Sequence, residues 1–141
     1  MIFKLSKFKK PNLYKENIMS NIIWYIVNNL IFYSFFPFSN IKVKILKLFG
    51  AKIGKNVIIK EYVRIKFPKK LVIGNNVWIG SGVWIDNISD LIIEDNCCIS
   101  QDVYFCTGNH DANLETFDLI AKKILIKKNT WIAARCVIGP G

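Results

Sequence analysis

Histidine is nearly absent from this sequence: His110 is the only one in 141 residues. The four cysteines, Cys97, Cys98, Cys106 and Cys136, form no CxxC pair. These two scarcities exclude a Cys/His zinc site, whose ligands recur at short fixed spacings, and a secreted disulfide framework. The chain reads as a reduced, cytosolic protein that binds no metal. Arginine is scarce too, Arg64 and Arg135 being the only two among 20 Lys+Arg. The net charge of +10 is therefore almost all lysine. Lysine lacks the forked guanidinium that reads bases and phosphates, so nucleic acid is not the expected partner.

Charge is also missing locally. Lys4, Lys7, Lys9, Lys10 and Lys15 crowd the first sixteen residues, and no charged residue then occurs between Glu16 and Lys42. The gap holds Ile22-Ile23-Trp24-Tyr25-Ile26-Val27 and the run Leu30 to Phe38. It starts late and has no small-residue cleavage site after it, which disfavours a signal peptide. Asn17, Asn21, Asn28 and Asn29 interrupt it and Pro37 closes it, short of the ~20 apolar residues a spanning helix needs. Asn17, Asn21 and Asn28 fall on one helical face. Two readings stay open: a helix lying on an anionic membrane surface, or one packed against protein. Ser39 or Asn40 is placed to cap a second helix with apolar positions Ile41, Ile45, Leu48 and Phe49, ending at Gly50.

What is abundant is repetition. With 52% hydrophobic residues the chain can bury one real core. From residue 53 the large apolar side chains stand six apart: Ile53, Ile59, Ile65; Ile73, Ile79, Ile85; Ile93, Ile99, Phe105; Ile126, Ile132, Ile138. Such a period predicts short strands around a triangular coil, each aliphatic pointing inward and the residue before it outward. Stacked coils then pair as parallel strands over one continuous core. Glycines after several aliphatics, as in Ile73-Gly74 and Ile79-Gly80, are expected to help the chain turn. The triplets start at 53, 73, 93 and 126, so loops protrude between coils, and the longest covers residues 106–125.

Ile-Gly-x-x-Val-x units resemble the hexapeptide-repeat acyltransferases. Segments such as LFGAKIGKNV, WIGSGVWIDN, CISQDVYFCTGNHD, FDLIAKKI and WIAARCVIGPG look most like the colanic acid biosynthesis O-acetyltransferases. The resemblance implies an all-β fold, a left-handed parallel β-helix preceded by one or two N-terminal helices. Residues 1–50 are then a helical, partly apolar segment and residues 51–141 the repeat domain. It also implies transfer of an acetyl group from acetyl-CoA to a sugar hydroxyl, in a homotrimer with sites between subunits. The expected location is the cytoplasm, at the inner face of the cell membrane if the N-terminal segment binds lipid.

His110 stands at the base of the longest insertion, where a rigid scaffold concentrates function, and where the resemblance puts the catalytic histidine. A hydroxyl attacks a thioester poorly unless a base removes its proton, and a histidine side chain serves at neutral pH. Asp111, or a backbone carbonyl, is the candidate to fix its tautomer. Asp86 and Asn87 are the nearest match to residues that position the acceptor in relatives. Trp131, Ala133 and Ala134 match the Trp-Ile-Gly-Ala segment beside the CoA arm, with alanine replacing glycine. Trp84 and Asn109 are candidates for the sugar, although the outward aromatics Trp78, Trp84, Tyr104 and Trp131 also suit subunit contact. Cys106 as an acyl-carrying nucleophile is the weaker alternative. A carbonic-anhydrase-like hexapeptide enzyme would need more histidines. The sequence stops in mid-repeat at Gly139-Pro140-Gly141, where relatives continue. A fragment is therefore expected, or a truncated non-catalytic β-helix with an assembly role.

Overall fold

The computed structural model describes residues 3–9, 11 and 18–141; Lys10, Lys15 and Asn17 lie outside the described residues. Helix α1 (Ile18–Val27) runs into a π-helical turn (Asn28–Phe32), and helix α2 (Ser39–Leu48) follows. Four coils come next. The first is β1 (Lys52–Ile53), β2 (Ile58–Ile59) and β3 (Arg64–Ile65); the second is β4 (Leu71–Ile73), β5 (Trp78–Ile79) and β6 (Trp84–Asp86). The third is β7 (Leu91–Ile93), β8 (Cys98–Ile99) and β9 (Tyr104–Cys106). A hairpin of β10 (Gly108–His110) and β11 (Leu119–Ala121) precedes the fourth, β12 (Ile124–Ile126), β13 (Trp131–Ile132) and β14 (Val137–Ile138).

The strands stack as three parallel sheets, β1-β4-β7-β12, β2-β5-β8-β13 and β3-β6-β9-β14, which are the three faces of a left-handed β-helix. The six-residue step sets the register: Ile59 pairs with Ile79, Ile79 with Ile99, Ile65 with Ile85, and Ile85 with Phe105. All of these are buried, with Val57, Val77, Cys97, Val63, Val83 and Val103 filling the alternate inward positions.

The corners differ from expectation. Their left-handed residues are mostly not glycine: Asn56, Asn76 and Asn96 take φ of 54, 55 and 57°. Asparagine tolerates this conformation, and here it also bonds upward, Asn56 Nδ2 to Asn76 Oδ1 at 3.0 Å and Asn76 Nδ2 to Asn96 Oδ1 at 3.1 Å. Gly80 is needed for another reason. A Cβ there would lie 2.7 Å from the Gln101 nitrogen in the coil above.

The helices close the open edge of the first coil, whose strands have no neighbour below among the described residues. Ser39 does not cap α2, which has no side-chain cap. Its hydroxyl instead accepts from the Ile59 N–H at 2.8 Å and donates to the Val57 carbonyl. Lys42 is buried, and its ammonium donates to the Lys60 carbonyl at 2.6 Å. Leu46 is buried with it, while Ile41 and Leu48 are exposed. Gly50, as expected, ends the helix at φ 93°, with Gly50 N–H to Lys47 O and Ala51 N–H to Leu46 O, a Schellman motif.

Helix α1 does the same for the third face. Trp24 Nε1 donates to the Ile65 carbonyl at 2.8 Å, and Asn28 Oδ1 accepts from the Ile65 N–H at 3.1 Å. The polar side of the helix thus faces the protein. Ile18, Met19, Ile22, Ile23, Tyr25, Ile26 and Leu30 face outward. Among the described residues no helix is long and apolar enough to cross a membrane.

Candidate active site

All three long connections leave the same edge of the prism, between the third face and the first: residues 67–70, 87–90 and 107–123. Thr107 anchors the longest. It is fully buried, and its hydroxyl accepts from the Ser89 N–H at 2.9 Å and donates to the Asp86 carbonyl. From there β10 runs outward and pairs antiparallel with β11, His110 opposite Leu119. The tip closes through Asp111 N–H to Asp118 O, and through the Asp111 carboxylate, which accepts from the Asn113 N–H at 2.9 Å.

His110 is half-buried, and its Nδ1 lies 2.8 Å from the Phe117 carbonyl oxygen. A carbonyl only accepts, so Nδ1 carries the proton and the neutral ring presents the Nε2 lone pair. The imidazole also lies flat on the Phe117 ring, 4.4 Å between centroids at 3°. Phe8 meets it edge-on at 5.2 Å. Of the two orienting groups left open by the sequence, the backbone carbonyl is the one in place. Asp111 is committed to the turn. Asn109 exposes its side chain and accepts from the His110 N–H.

Asp86 and Asn87 make no hydrogen bond to the imidazole. The Asp86 carboxylate takes Lys66 Nζ at 2.7 Å and the Tyr104 hydroxyl at 3.3 Å. Burial pushes the Tyr104 hydroxyl well above its ordinary range, with Cys106 and Asp86 adding to the rise. Asn87 is fully buried; it accepts from the Phe67 N–H at 3.0 Å and donates to the Phe67 carbonyl at 2.8 Å. Asn87 thus ties the corner after β6 to the corner after β3.

Trp84 is the aromatic candidate for the sugar. It stands in a ladder on the third face, paired with Arg64 below and Tyr104 above. The Arg64 guanidinium sits 4.3 Å from its ring centroid, and Tyr104 stacks at 4.6 Å. Both faces of the indole are thus covered, leaving only its edge for a sugar. That edge helps line a cavity of about 280 Å³, with Asn28, Arg64, Lys66 and Asp86. His110 does not line it.

Trp131 is exposed on the second face, bonded through Nε1 to Ser100 Oγ at 2.9 Å. Ala133 and Ala134 occupy the exposed corner between the second and third faces. They lie across the third face from the His110 edge, so one protomer does not bring the two groups together. Cys106 points its thiol at the Gly108 carbonyl, 3.0 Å away.

The sequence reading missed the surroundings of His110. Phe117 takes φ of 51°, unusual for an aromatic residue, and Phe3 stacks on its far side at 4.3 Å. Lys4 and Lys7 both pair with Glu115, at 2.7 and 2.6 Å, and their hydrogen bonds hold its carboxyl below the usual range. Nothing in the repeat period signals contacts between residues 3–8 and this loop.

No family model matches the chain. It is 35% identical over 139 residues to a protein of Escherichia coli (strain K12) that carries the name colanic acid biosynthesis acetyltransferase WcaF. The match covers 97% of this chain and 76% of that one, and the figures for the Shigella flexneri protein of the same name are identical. Among solved structures, a maltose O-acetyltransferase from Clostridium difficile 630 aligns at a TM-score of 0.66, with 20% identity, over 94% of this chain and 70% of its own. A variant of AntD, an N-acyltransferase from Bacillus cereus in complex with dTDP and coenzyme A, aligns at 0.53 with 20% identity over 70% of this chain and 69% of its own.

Proposed function

The chain belongs to the hexapeptide-repeat acetyltransferases, and from that premise we propose that it moves an acetyl group from acetyl-CoA to a sugar hydroxyl, with His110 as general base. The acceptor belongs to an exopolysaccharide or a lipid-linked oligosaccharide, in keeping with the name of the WcaF relatives. The observation that carries the reading is the hydrogen bond from Nδ1 to the Phe117 carbonyl, because it leaves Nε2 free to accept a proton. Nε2 takes the proton as the hydroxyl oxygen attacks the thioester carbonyl. A C–O bond forms, the C–S bond breaks, and the same proton goes to the departing thiolate.

Ala133 and Ala134 leave the last corner open for a pantetheine arm, and exposed Lys127, Lys128 and Arg135 on the same coil suit CoA phosphates. His110 and this corner meet once a neighbouring copy supplies one of them, as the trimer implied by the resemblance would. The outward face of α1 has the makeup of a lipid contact. Tyr25 and Leu30 are each 71% exposed, and exposed Lys9, Lys44 and Lys47 on the same N-terminal segment suit anionic headgroups.

Thiol release from acetyl-CoA with a panel of sugars, compared between the wild type and His110→Ala, tests the proposal. The rival reading, a non-catalytic β-helix with an assembly role, predicts no release from either.

A further inference from the structure

We propose that residues 3–8 form a strap that fixes His110 in its working orientation and tautomer, with Phe3, Phe8 and Glu115 as positioning residues. The inference rests on His110 being the base. It starts from a strained residue. Phe117 holds a left-handed φ of 51° outside the repeat corners, where such values otherwise recur. An aromatic side chain disfavours that conformation, which persists only where its surroundings over-determine it. Phe117 supplies both of the contacts that orient the imidazole, the carbonyl at Nδ1 and the ring beneath it.

What holds Phe117 comes from the far end of the chain. Its ring is sandwiched between His110 at 4.4 Å and Phe3 at 4.3 Å. Phe8 closes the edge of the imidazole. Between the two aromatics, the short 3-10 turn Leu5–Lys7 brings Lys4 and Lys7 to one side, since residues three apart eclipse in that helix. The pair grips both oxygens of Glu115, and the Lys4 N–H also donates to the Glu115 carbonyl at 2.8 Å. The ion pairs are exposed and individually weak. Their contribution is register: they set which aromatic meets which ring. A three-ring stack with the imidazole at its end then leaves the histidine one orientation.

Because His110 is the only histidine, one ¹⁵N-labelled imidazole reports on the whole question. Long-range ¹H–¹⁵N spectra of the full chain at alkaline pH should show the Nδ1–H tautomer. In Phe3→Ala/Phe8→Ala the signals should move toward a mixture of tautomers. The turnover number should fall about 10- to 100-fold, with the KM for acetyl-CoA changed by less than about twofold. Phe3→Tyr/Phe8→Tyr, which keeps both rings, should retain both wild-type values, and Glu115→Gln should give the same shift in weaker form. Thermal unfolding of the β-helix should not move with these changes. An alanine double variant that retains the wild-type tautomer and turnover overturns the strap, as does an equal loss in Phe3→Tyr/Phe8→Tyr. The tautomer signal does not depend on activity, so an active His110→Ala would sink the general-base reading and leave this test standing.

Discussion

Asn87 separates a structural corner from a catalytic group. Its amide is fully buried and makes two hydrogen bonds to one residue, accepting from the Phe67 N–H and donating to the Phe67 carbonyl. Asn87→Ala removes both. A buried group deprived of its partner costs about 1–3 kcal/mol. The carbonyl keeps a second donor, the Lys70 N–H at 3.1 Å, so its share falls at the low end. The sum is about 2–4 kcal/mol. For 141 residues the unfolding entropy is roughly 0.3 kcal/mol per degree, so the melting temperature should drop by roughly 10 °C. Asn87→Asp should do no better, since it keeps the acceptor but sets a carboxylate oxygen against the Phe67 carbonyl in a buried site. Denaturant or thermal unfolding reads the stability, and kcat/KM taken well below the transition should stay within about threefold of wild type. Unchanged stability with kcat reduced by about 100-fold would refute the structural assignment and return Asn87 to the catalytic groups.

Two further outcomes follow from the N-terminal helices. Burial pushes the Lys42 ammonium below its ordinary 10.5, Lys60 adding to the shift and Glu61 opposing it. The unfolded chain therefore binds more protons than the native one between the lowered value and 10.5, and stability should rise with pH there. Wild type should gain on Lys42→Met across that window, and a flat or falling difference contradicts the assignment. The outward face of α1 makes a separate prediction. Ile22, Ile26 and Leu30 are 50, 50 and 71% exposed, and each contributes about 1 kcal/mol on entering an apolar phase. Replacing all three with serine should weaken co-sedimentation with anionic vesicles by about 100-fold. Unchanged binding rejects the lipid contact, and a change in oligomeric state instead would make this face a protomer contact.

The fold was legible because its signal is local and periodic. Large apolar residues six apart place one inward position in each coil strand, and the excess over eighteen residues between triplet starts signals each protruding loop, His110 included. What the period does not carry is edge chemistry. Asn28 reads as part of a polar helical face, Ser39 as a helix cap and Lys42 as the end of an uncharged gap, yet they complete the unpaired backbone of the first coil, a demand visible only once its open edge exists. The ladder that covers Trp84 was within reach, since Arg64, Trp84 and Tyr104 stand twenty apart and so stack. The strap was not, because Phe3 and Phe117 meet through a loop and a terminus that obey no repeat.

The most direct test of the central claim is the rate of CoA thiol release at saturating acetyl-CoA and sugar acceptor, for the wild type and His110→Ala. General-base catalysis predicts a fall of about 10²–10⁴ in the variant, with the β-helix still folded. Equal turnover in the two proteins would contradict it.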